Sequence, residues 1–336
     1  YFKRCNDLFE QLLKENPSSG RASRDVSVSL NQLGVFLASR GQAGDANQAL
    51  IYFTRSLEVR ERLLMQNPDS AQAARDVSVS LDRLGALLSS RGQPGDAELV
   101  LMYYERSLKV RERQLSQNPN SAQLARDVMV SHYQLGEFSA SREKFADAIA
   151  HYQHGIAVLD KMLEKNLTIE ATKQDMGLLE NRVQYCQRAI QATGDWDTLL
   201  SLDAEVLPSL LSLRITLLTK RGMIADVAQA GAKLRELASV GLPTEKTKGM
   251  LYNAACAYSL CASLVVKDKM APKETELTDQ KRYLDLSFSC LREAIAAGYN
   301  SFDHMRKDTD LTPLHGLPEF EELFPKNADT QPTPAP

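Results

Sequence analysis

Few residues in this sequence have the types and spacing that a catalytic or metal-binding site requires, and the histidines come closest. His151 and His154 lie three residues apart, a spacing that places two imidazoles on one face of a helix, where they could hold a metal ion. No cysteine or carboxylate pair at ligand spacing stands beside them. We therefore interpret both as solvent-facing residues of a helix, and the sequence predicts no metal site.

The nucleophilic residues form no catalytic arrangement either. The serines of the "SVS" segments at 27–29 and 78–80 have neither a repeated histidine nor a glycine-rich elbow beside them. Five cysteines without a CxxC pair or regular spacing are typical of reduced, buried thiols, which indicates a cytoplasmic protein. The glycine-rich loop, HRD and DFG motifs of protein kinases are also missing from these 336 residues. The sequence thus predicts a protein that is not an enzyme and binds no cofactor.

The strongest polar pattern is an Arg–Asp pair that recurs at intervals of 51 residues, beginning at Arg24, Arg75 and Arg126. One interpretation is a ladder of arginines that binds an acidic ligand. The other is structural: each pair bridges to the neighbouring repeat, or its aspartate stabilises the positive end of a helix dipole. Because stacked repeats need the same interface at every step, the regular recurrence favours the structural role.

Each Arg–Asp pair is the start of a longer segment that is repeated in the sequence. The pattern of this segment predicts the helices on which the pairs lie. Residues 24–34 are "RDVSVSLNQLG", residues 75–85 are "RDVSVSLDRLG" and residues 126–136 are "RDVMVSHYQLG". Apolar residues in each recur with the period of one helix face, and a "RGQAGD" or "RGQPGD" turn separates the first two from a second amphipathic run. Strand-like alternation is absent from the sequence. The prediction is an all-α fold of stacked helical hairpins.

The order of large residue, Leu–Gly, Ala, aromatic and small residue in each unit resembles the tetratricopeptide repeat signature. Gly34, Gly85 and Gly136 stand where that family brings two helices close together. The 51-residue period, against about 34 in the usual form, is similar to long, kinesin-light-chain-like bacterial repeats. The "YNAACAY" segment and the "DTDLTPL…PEFEEL" ending also resemble the tetratricopeptide region behind some bacterial Ser/Thr protein kinase domains. The resemblance implies a right-handed superhelical solenoid with a C-terminal helical cap.

The same patterns divide the chain into consecutive segments. The chain opens inside a repeat and without Met, so we expect a piece of a longer protein. Past the repeats the patterns predict helical hairpins, one of them at 207–241, and a polar loop at 266–281. The predicted segments are the second helix of a truncated repeat (1–20), three repeats within 21–166 (21–68, 72–119 and 123–166), divergent hairpins (167–300), a C-terminal cap (301–325) and a disordered tail (326–336).

The resemblance implies that the first helix of each hairpin lines a concave surface where a partner protein or peptide would bind. The candidate positions are Asn31, Val35, Ala38, Asp82, Arg83, Ala86, Ser89, Tyr133, Gln134 and Glu137. Tyr133 is the best single anchor among them. Val35, Ala86 and Glu137 stand where the family's carboxylate clamp has asparagine, so we expect no binding of acidic C-terminal peptides.

Composition narrows the class of partner further. A net charge of −3 provides no overall basic field, so no nucleic acid is expected, and no run of 18 apolar residues indicates a membrane span. Two functions stay open. One is a non-catalytic scaffold that binds a peptide or helix of a partner protein on the concave face. The other is a regulatory or substrate-docking arm of a larger bacterial enzyme, such as a Ser/Thr protein kinase, whose catalytic domain would precede residue 1. The sequence leaves the oligomeric state open.

Overall fold

The computed structural model describes residues 2–16, 19–165, 169–240, 244–267 and 269–324. Within these ranges every regular element is helical and no strand occurs, which confirms the predicted all-α class. The predicted tail at 326–336 lies outside the described residues. The elements are α1 (Phe2–Glu15), α2 (Gly20–Arg40), α3 (Asp45–Gln66), α4 (Ala71–Arg91), α5 (Asp96–Gln117), α6 (Ala122–Ser141), α7 (Phe145–Glu164), α8 (Ile169–Thr193), α9 (Trp196–Leu200), α10 (Leu207–Lys220), α11 (Ile224–Ala238), α12 (Thr244–Val266), α13 (Glu274–Ala296), α14 (Phe302–Lys307), a 3₁₀ helix (Thr309–Leu314) and α15 (Pro318–Glu321).

The turn between α2 and α3 explains the extra residues of the "RGQAGD" segment. After α2, Gly41 and Gly44 have φ of +66° and +85°, a left-handed backbone that residues with a side chain rarely adopt. Arg40 donates across the turn to Asp45 Oδ1 at 2.6 Å, and the Asp45 carboxylate also accepts from the Gln42 N–H. The turn between α4 and α5 repeats this arrangement one period later.

Each repeat packs its two helices together through a glycine that faces an aromatic ring. A Cβ atom added to Gly85 would lie 2.4 Å from Cε1 of the buried Tyr104. Optimal carbon–carbon contacts are about 3.5–4.0 Å, so no side chain fits at this position without movement of the ring. The equivalent pairs are Gly34 with Phe53 at 2.5 Å and Gly136 with Tyr152 at 2.3 Å.

The chain divides into two compact units, Tyr1–Gln187 and Arg188–Pro336. In the first unit each helix packs on the next one along the chain from α1 to α7. We refer to α2, α4, α6 and α8 as the first helices and to α3, α5 and α7 as the second helices. The unit extends past the predicted end of the third repeat at residue 166, because side chains of α8 form ion pairs with α6.

The second unit is organised around α12, which packs against α10, α11, α13 and the 3₁₀ helix. The hairpin predicted at 207–241 consists of α10 and α11, with Gly222 at φ +70° in the turn. Short helices also occur where the cap was predicted. Tyr252 of α12 donates a hydrogen bond to Asp308 Oδ2 at 2.6 Å, which attaches the cap to α12. Burial and this carboxylate both raise the pKa of Tyr252.

Trp196 packs within the second unit. Its half-buried ring lies against the hydrophobic core, with the guanidinium carbon of Arg214 5.3 Å from the ring centre. Arg214 is 6% exposed and donates to the carbonyl oxygens of Ala192 and Gly194 at 2.9 Å each. Trp196 therefore covers a buried arginine that caps the end of α8.

The polar segment 266–281, predicted as a loop, is helical over much of its length. α13 begins at Glu274, well inside this segment. Its start is stabilised because Glu276 Oε2 accepts from the backbone N–H of Lys273 at 2.8 Å and because acidic side chains suit the positive end of a helix. Polar composition alone therefore misplaced the helix boundary.

One described helix, α12, is long and apolar enough by length and composition to cross a membrane. However, 67% of its most apolar 18-residue window is buried against neighbouring helices. A core helix has the same composition, so packing in the second unit accounts for these residues, and the absence of a membrane span stays a prediction.

Candidate partner-binding surface

The recurring arginines link consecutive first helices. Each one lies beside the aspartate of the next first helix, and the arginines are about half exposed while the aspartates are largely buried. Because the charge of each arginine is compensated by a neighbouring helix, the geometry matches the structural interpretation of the pattern. The three nitrogen–oxygen distances are 2.9 Å for Arg24–Asp76, 3.7 Å for Arg75–Asp127 and 2.8 Å for Arg126–Asp175.

A buried arginine of the second helices lies beneath the candidate position Asp82. Arg111 of α5 donates to Asp82 Oδ2 at 2.6 Å and to Ser131 Oγ at 2.7 Å, which joins α4 to α6. Burial raises the pKa of Asp82, and Arg111 opposes that rise. Asn31, the equivalent of Asp82 in α2, is only 5% exposed. In the structure Asn31 is buried, and the Asp82 side chain is only 14% exposed because it pairs with Arg111, so neither is freely exposed to a partner as predicted.

Arg60, the equivalent of Arg111, has no carboxylate partner in the part of the chain that the structure describes. It is 5% exposed and donates to the Ser80 hydroxyl at 2.9 Å, the Asp76 carbonyl at 2.8 Å and the Ser27 hydroxyl at 3.3 Å. Burial lowers the pKa of Arg60. The first repeat thus holds a buried cation on neutral oxygens where the second repeat has an ion pair.

Seven residues after the repeated aspartate, each first helix carries a long polar side chain at the same helical position. Three of the four residues have a buried side-chain atom without a hydrogen-bond partner among the described residues: Nε of Arg83, Oε1 of Gln134 and Nε of Arg182. Arg83 forms no ion pair there either. We call these four residues the polar row: Gln32, Arg83, Gln134 and Arg182.

Sequence reasoning missed Arg182, because it follows Gln134 by 48 residues instead of 51. The equivalence becomes visible in the ion pairs, since Asp175 of α8 accepts from α6 in the same way that Asp127 of α6 accepts from α4. A search for the Arg–Asp linkage with a shortened interval would have found it.

Tyr133 and Glu137 lie together at the end of the polar row. Tyr152 donates to Glu137 Oε1 at 2.6 Å, and Arg182 donates to Glu137 Oε2 at 2.9 Å and to the Tyr133 hydroxyl at 3.3 Å. The rings of Tyr133 and Tyr152 are 6.2 Å apart. Both Tyr133 and Glu137 are half-buried, so they expose an aromatic edge and a carboxylate whose position is held by Arg182.

The remaining candidate positions are small. Ala38, Ala86 and Ser89 are exposed, and Val35 is half-buried. Side chains of this size leave the surfaces of α2 and α4 open beside the polar row.

The histidines cluster, although only one of them faces solvent as predicted. His154 is exposed, whereas His151 is half-buried and His132 is 7% exposed. The Nδ1 atoms of His132 and His151 are 3.4 Å apart, and the ring of His132 stacks on that of His154 with centroids 5.4 Å apart. Burial, with the two neighbouring imidazoles, lowers the pKa of His132 to about 4. The interpretation of His151 as solvent-facing is corrected by this packing.

No reactive group emerges from the described residues. Burial raises the pKa of Cys261 to about 12 and that of Cys290 to about 11, so both thiols stay protonated at neutral pH. Among the residues with described positions, no three His, Cys, Asp or Glu side chains are grouped so as to hold a metal ion.

No known family model matches this chain. The chain is similar to Protein NCA1 of Arabidopsis thaliana, with 26% identity over 137 residues. That stretch covers 39% of this chain and 32% of the plant protein, so it spans about a third of the relative's length. The likeness is partial, and the name of the relative states no activity.

Proposed function

We propose that this protein is a non-catalytic scaffold that binds a peptide or helix of a partner protein along its first helices. The observation that carries the proposal is the polar row, in which Arg83, Gln134 and Arg182 each keep a buried polar atom unpaired. A buried donor or acceptor without a partner costs about 1–3 kcal/mol. The three side chains are half-buried, so a turn of each toward a bound chain would bring these atoms within its reach, and the new hydrogen bonds would recover part of this energy.

The chemistry of the row suits a polypeptide main chain. Arg83 and Arg182 are donors at Nε, and Gln134 is an acceptor at Oε1, so together they match the C=O and N–H groups that an extended peptide presents. The small side chains of Ala86 and Ser89 allow close approach of that main chain. Tyr133 would then bind an apolar side chain of the partner.

The proposal includes a tetratricopeptide-type solenoid with the first helices on its concave side. Two repeated interactions support this architecture: the Arg–Asp pairs that join successive first helices, and the glycine–aromatic contacts within each hairpin. Repeats of this kind need only their neighbours for stability, and they present a continuous surface for a ligand.

The test begins with peptides selected from a random display library against the full chain. Their affinity is then measured by isothermal titration calorimetry for the wild type and for Arg83→Gln, which gives α4 the side chain that α2 and α6 carry at the same position. We expect Arg83→Gln to weaken binding about tenfold, which corresponds to the loss of about 1.4 kcal/mol.

The matched control is Glu58→Lys on the exposed side of α3, which gives α3 the residue that α5 carries one period later as Lys109. This variant should bind the selected peptides as the wild type does, and both variants should keep the wild-type circular dichroism. Peptides that bind Arg83→Gln with unchanged affinity would contradict the proposed face.

A further inference from the structure

A second recessed surface lies between the second helices α3 and α5, over α4. It is an open groove with a volume of about 700 Å³, within the range of about 300–1,000 Å³ typical of ligand sites. Its floor is apolar: Val77 and Leu81 are buried, and Leu64 and Val110 are half-buried. We call this surface the α3–α5 slot.

One edge of the slot is basic. Arg106, Lys109 and Arg113 follow one another along one face of α5 at the slot. Arg106 is paired with Glu61 of α3, which closes one end of the slot. Lys109 has no ion-pair partner among the described residues, and Arg113 reaches only the exposed Asp69 at 4.0 Å. Two cations at the apolar opening are therefore free or weakly paired.

The copies within the chain show that the slot is specific to one repeat. The stripe "RSLKVRER" of α5 is "RSLEVRER" in α3, so Glu58 stands where the slot has Lys109. At the other lip Met65, 70% exposed, has Ser116 as its counterpart one period later. The ion pair of Arg106 recurs between Arg55 and Glu10, so it belongs to the stacking of the repeats. The free lysine and the exposed methionine are what distinguish the slot.

We propose that the α3–α5 slot binds an acidic amphipathic helix of a partner protein. Two apolar side chains spaced one helical turn apart would cover Leu64 and Val110, and carboxylates beside them would pair with Lys109 and Arg113. Met65 would adapt to the bound apolar side chains, because a thioether fills irregular gaps. This site is separate from the polar row, and the proposal for it does not depend on the function proposed for the polar row.

The test uses two blocked helical peptides, acetylated and amidated at their ends, with the same leucine pair. In one the leucines are flanked by glutamates, and in the other every glutamate is replaced by lysine. Isothermal titration calorimetry with the full chain should show binding of the acidic peptide and no binding of the basic one. Higher ionic strength should weaken the acidic complex, since its charges are near the surface.

Two variants taken from the chain's own copies locate the site. Lys109→Glu reproduces Glu58 of α3 and should weaken the acidic peptide about tenfold, because an attraction becomes a repulsion. Met65→Ser reproduces Ser116 of α5 and should weaken it several-fold. Arg83→Gln, on the polar row, should leave this affinity unchanged, so failure of one proposal is distinguishable from failure of the other.

Three outcomes would overturn the inference. The acidic and basic peptides could bind equally, Lys109→Glu could bind the acidic peptide as the wild type does, or the slot could be covered by a second copy of the chain. The last outcome would appear in sedimentation velocity as a dimer that Lys109→Glu dissociates. Circular dichroism and the melting temperature of each variant establish that the fold is retained.

Discussion

Replacing Gly85 by alanine should destabilise the protein, whereas the same replacement at Gly177 should stabilise it. Both glycines lie inside helices, α4 and α8, so both gain about 1 kcal/mol of helix propensity on becoming alanine. They differ in their surroundings. A Cβ atom at Gly85 would be 2.4 Å from the Tyr104 ring, while nothing lies within 4 Å of one at Gly177.

The expected magnitude follows from that distance. The ring of Tyr104 would have to retreat by about 1 Å to restore a normal carbon–carbon contact. It is only 7% exposed, and it packs edge-on against Phe138 with centroids 6.5 Å apart, so it has no free volume to enter. Overpacking at such a site costs about 1–3 kcal/mol, and the closeness of this clash places it at the upper end. After the gain in propensity, we expect a net loss of about 1–2 kcal/mol.

Urea denaturation followed by far-ultraviolet circular dichroism measures both changes. Gly85→Ala should lower the midpoint and Gly177→Ala should raise it. Removing most of the ring with Tyr104→Leu should reduce the cost of Gly85→Ala when the two are combined in a double-mutant cycle. A stabilising effect of Gly85→Ala, equal to that of Gly177→Ala, would refute the close approach of α4 and α5.

Three further perturbations have expected outcomes. Asp82→Asn should cost about 1–3 kcal/mol in urea denaturation, since it leaves the buried guanidinium of Arg111 without its carboxylate. Asn31→Asp should be stabilising, because residue 31 is the equivalent of Asp82 and Arg60, the equivalent of Arg111, bonds only neutral oxygens. The free energy of unfolding should fall as pH drops from about 6.5 to about 4, because His132 takes up a proton in the unfolded chain and not in the folded one. His132 contributes about 3 kcal/mol at most to this fall. His132→Gln should make the free energy of unfolding less dependent on pH, and an unchanged dependence would contradict the burial of His132. Tyr252→Phe should cost about 1–3 kcal/mol and speed proteolysis of the C-terminal cap, while Tyr283→Phe, which loses no described hydrogen bond, should change neither.

The hairpins of the first unit were predictable because their determinants are local and copied. Leu–Gly followed by an aromatic residue in the next helix implies close packing, and the glycines of "RGQAGD" mark a turn that needs a left-handed backbone. The Arg–Asp recurrence pointed to contacts between repeats, which the Arg24–Asp76 pair illustrates.

The candidate surface was harder to predict because it depends on contacts between helices distant in sequence. The tetratricopeptide resemblance implied that Asn31 and Asp82 face a partner, but the guanidinium that pairs with Asp82 comes from α5. Arg182 was missed because the interval shortens before α8. Lys109 belongs to a stripe of mixed charges, "RSLKVRER", which the sequence pattern assigns to the solvent-facing side of its helix. Its position beside an apolar slot is visible only in three dimensions.

Photo-crosslinking of a selected peptide would locate the bound partner most directly. A peptide with diazirine side chains is irradiated in complex with the full chain, and the modified residues are identified by mass spectrometry. If a partner binds along the first helices, cross-links should fall on their exposed positions, such as Ala38, Ala86 and Ser89. Cross-links confined to the second helices, with none on α2, α4, α6 or α8, would contradict the proposed function.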